Sequence, residues 1–113
     1  MIKVRVNRAD FQIETYGHAE QAEYGKDIVC AGVSALMQAL LNVLIKEKED
    51  SYLQLDWYAG NPGSMRIHAK PYNWRKPIIR AYFKMTVLGL KAIEQDYGKY
   101  IKVTEEGQDD GDD

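Results

Sequence analysis

Two side chains in this 113-residue sequence have the chemistry for covalent catalysis by a thiol: its single cysteine, Cys30, and a histidine twelve positions before it, His18. A thiolate is a strong nucleophile, and an imidazole beside it can take the thiol proton and return it to a leaving group. Gly17-His18-Ala19 closes a strand-like run, 19–26 is a polar connection broken by Gly25, and Asp27 opens a long helical run. Asp27 is placed as the N-cap, with Ile28, Val29 and Cys30 as the first three helical residues. At that position the free amide N–H groups and the positive end of the helix dipole favour thiolate over thiol. The structural alternative on these residues alone is a cysteine packed beside Ile28, Val29 and Ala31 as a small hydrophobe, with His18 a solvated strand end. Spacing by itself does not choose between the two.

The surrounding residues add a resemblance. Gly17-His18-Ala19, then Tyr24-Gly25, then Asp27-Ile28-Val29-Cys30-Ala31-Gly32 with Ser34, resembles the signature of the ribosomal-processing cysteine proteases, the Prp family. The closing segments Ala92-Ile93-Glu94 to Tyr97 and Ile101-Lys102-Val103 fit the same pattern, so the resemblance spans residues 1 to about 104. Members of that family remove an N-terminal extension from a large-subunit ribosomal protein in bacteria. The resemblance therefore implies a cysteine endopeptidase with Cys30 as nucleophile and His18 as base, a ribosomal protein substrate, and a homodimer. Asp27 and Ser34 are supporting candidates. Asp27 can orient the loop or His18, although its charge near Cys30 opposes thiolate formation. Ser34 lies one turn after Cys30 on the same face, where its hydroxyl either meets the sulfur or substrate or bonds back to its own helix.

The elements that must position these residues follow from periodicity. Ile2, Val4 and Val6 alternate with Lys3 and Arg5 as a half-buried strand, and Phe11, Ile13 and Thr15 form a second, with turn chemistry at Asn7 to Asp10. A helix from about Ile28 to Lys46 carries an apolar stripe of Ile28, Leu36, Leu40, Val43 and Leu44 and ends in the charges of Glu47 to Asp50. Strands follow at Tyr52 to Tyr58 and Met65 to Lys70, with His68 on a solvated side; then a loop PYNWRKP, a helix from about Ile78 to Tyr97, and a short strand at Tyr100 to Val103. Strand-strand-helix thus occurs twice. The expected fold is α+β: a two-layer, largely antiparallel sheet of four or five strands with two helices on one face.

Composition sets the limits. With 45% hydrophobic and 28% charged residues the chain reads as one globular domain over 1–104, followed by an acidic tail, 105–113, expected to be disordered. One cysteine cannot close an intrachain disulfide, the N-terminus has no signal-like apolar run, and the apolar stretch Ala31 to Ile45 is too short to span a bilayer, so a cytoplasmic, non-membrane protein is expected. One cysteine and two separated histidines give no metal site, and no cofactor is implied. The connection 19–26 has only Ala19, Ala22 and Tyr24 as apolar side chains, so the pair is expected to assemble over substrate. Between Trp57 and Ile93 lie seven basic residues and no acid. With Tyr72, Trp74 and Tyr82 interleaved, this 66–91 stretch reads first as a solvated face. It also supports an alternative function, a noncatalytic ribosome- or RNA-associated domain. A further alternative is a related protease acting on a phage structural protein.

Overall fold

The period-two alternation at the N-terminus becomes strand β1 (Ile2–Asn7), whose Ile2, Val4 and Val6 are all buried while Lys3 and Arg5 stay outside. The structure, a computed structural model, describes residues 1–17, 26–60 and 64–107. After β1 come β2 (Gln12–Tyr16), α1 (Lys26–Glu49), β3 (Leu53–Gly60), β4 (Ser64–Pro71), α2 (Lys76–Tyr97) and β5 (Ile101–Glu105). The sheet has five strands in the order β3-β4-β2-β1-β5, all antiparallel except the β1–β5 pair. Two consequences follow from these pairings. β2 runs parallel to β3 with β4 between them, and β4 runs parallel to β5 with β2 and β1 between them. Each helix is therefore a crossover between parallel strands, and both cover the face that carries Val4, Ile13, Ile67 and Ile101.

Local details shift the expected boundaries. Phe11 does not begin β2. It ends a 3₁₀ turn at Arg8–Asp10 in the left-handed conformation, φ 55°, with its amide donating to the Arg8 carbonyl. Its buried ring packs edge-on against Phe83 of α2 at 5.9 Å, which compensates the strained backbone. The buried stripe of α1 is Val29, Val33, Met37, Leu40, Leu41 and Leu44, whereas Ile28 is 53% exposed. The apolar arc is wider than one stripe because α1 has two neighbours. Leu36 sits against α2 at Gly89, where an added Cβ would come within 3.0 Å of its methyls, and Gly32 faces Ile93 of α2 at the same 3.0 Å. By length and composition Ile28–Glu49 could cross a membrane, longer than the apolar run alone suggested; here its stripe is buried on the sheet.

The charges at the end of α1 do more than stop it. The helix closes with a Schellman pattern, Tyr52 N–H to the Glu47 carbonyl and Ser51 N–H to that of Lys48, with Ser51 at φ 67°. The Glu47 side chain is buried and holds Arg75 by two hydrogen bonds of 2.7 and 2.8 Å. Arg75 in turn covers the Tyr52 ring. This forked contact ties the PYNWRKP segment to the end of α1.

The domain runs on past residue 104. Glu105 is in β5, where it bridges Arg8 at 2.8 Å and Lys91 at 2.7 Å; the Glu106 amide donates to the Val6 carbonyl, and its carboxylate holds Arg5. Residues 108–113 lie outside the described residues. Partial burial alone would raise the Glu105 carboxyl, but the Lys91 hydrogen bond and the charges of Arg8 and Lys91 together hold it below its ordinary value. A depressed carboxyl contributes stability above the unfolded-state pKa, about 4.3, and loses that contribution as pH falls through the folded value. Glu105→Gln is therefore expected to lower unfolding free energy at pH 7, with the gap to wild type closing at more acidic pH. Urea titrations at the two pH values read this directly, and a gap independent of pH would contradict it.

Candidate functional site

β2 ends beside the start of β1, where Lys3 pairs with Tyr16. Gly17, the next residue, has φ 95°, and a Cβ there would run into the Met1 carbonyl oxygen. Only glycine allows the chain to leave the sheet at this point. The first residue of the Gly-His-Ala element thus has a structural task, and the positive φ was not legible from its sequence context. His18 and the connection 19–25 lie outside the described residues; the expectation that the pair assembles over substrate falls there too.

On the far side of that connection, α1 begins at Lys26, two residues earlier than expected. Asp27 therefore stands within the first turn rather than capping it, a position the helix dipole also favours for an acid. Cys30 becomes the fifth helical residue, so its own N–H is engaged within the helix. The free donors are the amides of the turn before it. Helical side chains lean back toward the N-terminus, which carries the sulfur over that turn. The free thiol is half-buried against the edge of the core.

The flank on which Cys30 sits follows from α2. Gly32 faces α2, and Cys30, two residues earlier, lies about 160° around the helix from it. The thiol is therefore on the flank turned away from α2. Ser34 is on the same flank one turn later, exposed, and its hydroxyl makes no hydrogen bond among the described residues. The back-bonded alternative for Ser34 is thus not what the structure contains.

The remaining candidates are far from this site. His68 projects from β4 on the face opposite the helices, so the sheet separates it from Cys30. It is half-buried rather than solvated, with Nε2 3.5 Å from the Asp10 carboxylate. The basic stretch 66–91 does not form one surface. Arg66 and Lys70 lie on the open face of the sheet, Arg75 is held by Glu47, and Lys84 and Lys91 are on α2. Among the described residues no three His, Cys, Asp or Glu side chains gather as metal ligands.

The model of a family described as cysteine protease Prp matches residues 1–102. The ribosomal processing cysteine protease Prp of Staphylococcus aureus is 30% identical over 90 residues, 77% of this chain and 78% of that protein. Its counterpart in Bacillus subtilis is 27% identical over 114 residues, 92% of this chain and 96% of that protein. The crystal structure of the ribosomal processing protease Prp from S. aureus in complex with a covalently linked product peptide matches with a TM-score of 0.75 at 27% identity. It covers 94% of this chain and 100% of that one.

Because Gly17 sets the direction in which the chain leaves β2, Gly17→Ala is expected to cost about 1–3 kcal/mol of stability and to reduce peptide cleavage at least tenfold. Denaturant unfolding and a cleavage assay check both parts. Unchanged stability with full activity would show that this exit does not depend on the glycine.

Proposed function

Since this chain belongs to the cysteine protease Prp family, we propose that it removes an N-terminal extension from a ribosomal protein, with Cys30 as nucleophile and His18 as base. The observation that carries this reading is the placement of Cys30, half-buried at the amino end of α1 on the flank away from α2. A thiolate there attacks the peptide carbonyl. The unpaired amides of the preceding turn are the nearest donors for the oxyanion that forms. His18 takes the thiol proton and delivers it to the departing amine; water then hydrolyses the thioester. Asp27, in the first turn, serves to orient the connection that carries His18. Ser34 offers a free hydroxyl on the thiol's own flank, suited to a substrate carbonyl.

A homodimer is supported by α2, where Ile78, Met85 and Leu88 are 40%, 70% and 57% exposed along one side of the helix. An apolar stripe of this kind is suited to pairing with a second copy. A cytoplasmic setting is consistent with a lone cysteine that must stay reduced to act.

The test is incubation with a large-subunit ribosomal protein bearing its N-terminal extension, with products read by mass spectrometry. Wild type is expected to release one N-terminal peptide. Cys30→Ala and His18→Ala should each lower kcat by about 10⁴-fold or more, whereas His68→Ala should stay within twofold. Intact substrate with wild type would refute the substrate, and equal losses in the two histidine variants would refute His18 as the base.

A further inference from the structure

The helices cover one face of the sheet, and among the described residues no element covers the other. Strand alternation places Lys3, Arg5, Tyr16, Tyr58, Arg66 and Lys102 on this open face. The pairing register turns them into a continuous track. Lys102 pairs with Lys3 and Lys3 with Tyr16, while Arg66 pairs with Tyr58 at the opposite edge. A cleft of about 290 Å³ lined by Lys3, Arg5, Tyr16 and Lys102 adjoins one of about 180 Å³ lined by Tyr16, Tyr58 and Arg66, with Tyr16 shared by both. Tyr58 is 61% exposed and leans along its strand over Gly60, whose missing side chain leaves room for the ring.

Among the described residues no ion pair holds Lys3, Arg66 or Lys102. Arg5 is engaged by Glu106; Glu14 lies between Arg5 and Arg66 in register and is flanked by both, and Asp56, two residues before Tyr58 on the same face, faces Lys70 at 3.8 Å. Unpaired cations beside flat, accessible rings fit a ligand that has both anionic groups and π-faces. We propose that this open face binds single-stranded RNA, with the cations on phosphates and Tyr16 and Tyr58 stacking on bases. A four-stranded sheet surface with stacking aromatics accommodates two or three bases, and stacking tolerates any sequence. An acidic peptide would satisfy the cations and leave both rings unused, which is why the polynucleotide is favoured. The basic stretch singled out in the sequence contributes only Arg66 to this track; its other members come from β1, β2, β3 and β5. The surface is on the far side of the sheet from Cys30, so binding is independent of the peptidase chemistry.

The experiment is fluorescence anisotropy of a fluorescein-labelled ten-nucleotide oligouridylate with the full-length protein at 50 and 200 mM KCl. Binding is expected at the lower salt and should weaken about twentyfold at the higher one if three phosphates are neutralised. The Lys3→Glu/Lys102→Glu protein should bind at least tenfold more weakly and Tyr58→Ala about fivefold or more. Lys84→Glu on α2 should remain within twofold. Circular dichroism establishes that each variant is folded, and Lys3→Gln/Lys102→Gln provides a milder pair. Absence of binding at 50 mM, a loss in Lys84→Glu as large as in the sheet variants, or wild-type affinity in Tyr58→Ala would each overturn the proposal. So would displacement of the RNA by oligoglutamate with affinity that does not depend on Tyr58, which would assign the face to acidic peptides.

Discussion

The close approach of α1 to α2 is the contact on which the placement of the site depends. At Gly32 and Gly89 a side chain larger than hydrogen would press on Ile93 and Leu36, respectively. The two antiparallel helices can therefore lie side by side over one sheet face. With Gly32 turned to α2, helical geometry leaves Cys30 no choice of flank. The same contact brings the amino end of α1 beside the carboxyl end of α2, from which the chain continues into the edge strand β5. Glu94 reinforces that edge by accepting from the Val103 amide at 2.9 Å. The opposite end of α1 is fixed separately by the buried Glu47 and its fork with Arg75. Held at both ends, α1 has little freedom to slide, and the position of the thiol follows from packing rather than from the loop that precedes it.

Much of this was legible in the sequence wherever one neighbour decided a residue's environment. Ile2, Val4 and Val6 alternate because a single face of β1 is buried, and Ile79, Phe83 and Leu90 follow a helical stripe for the same reason. The pattern is ambiguous where two neighbours compete for one residue. The apolar arc of α1 serves both the sheet and α2, so of the expected stripe Leu40 and Leu44 are buried, Leu36 and Val43 are half-buried and Ile28 is exposed. The parallel pairing of β1 with β5 joins residues about a hundred positions apart, and no local pattern encodes it.

Charge was legible as composition and not as position. Glu105 and Glu106 read as the start of an acidic tail, yet Arg5, Arg8 and Lys91 hold them to the sheet edge. The seven cations of the 66–91 stretch are close in sequence, yet strand and helix geometry divide them between the open sheet face, the Glu47 contact and α2. For the site itself, residue types singled out Cys30 and His18 as candidates and the resemblance implied their roles; the structure places Cys30 in the first turns of α1, and His18 lies outside the described residues. The close backbone approach that requires Gly17 arises only once β1 and β2 are paired.

The proposed mechanism makes Cys30, at the start of α1, a reactive thiol with His18 as its base. Its most direct test is the rate of iodoacetamide alkylation of Cys30 between pH 5 and 9, in wild type and in His18→Ala, with the modified residue identified by peptide mass mapping. The wild-type rate at pH 7 is expected to exceed that of a free model thiol, and His18→Ala is expected to lose that excess. A profile matching a free thiol in wild type, or one identical in the two proteins, would contradict it.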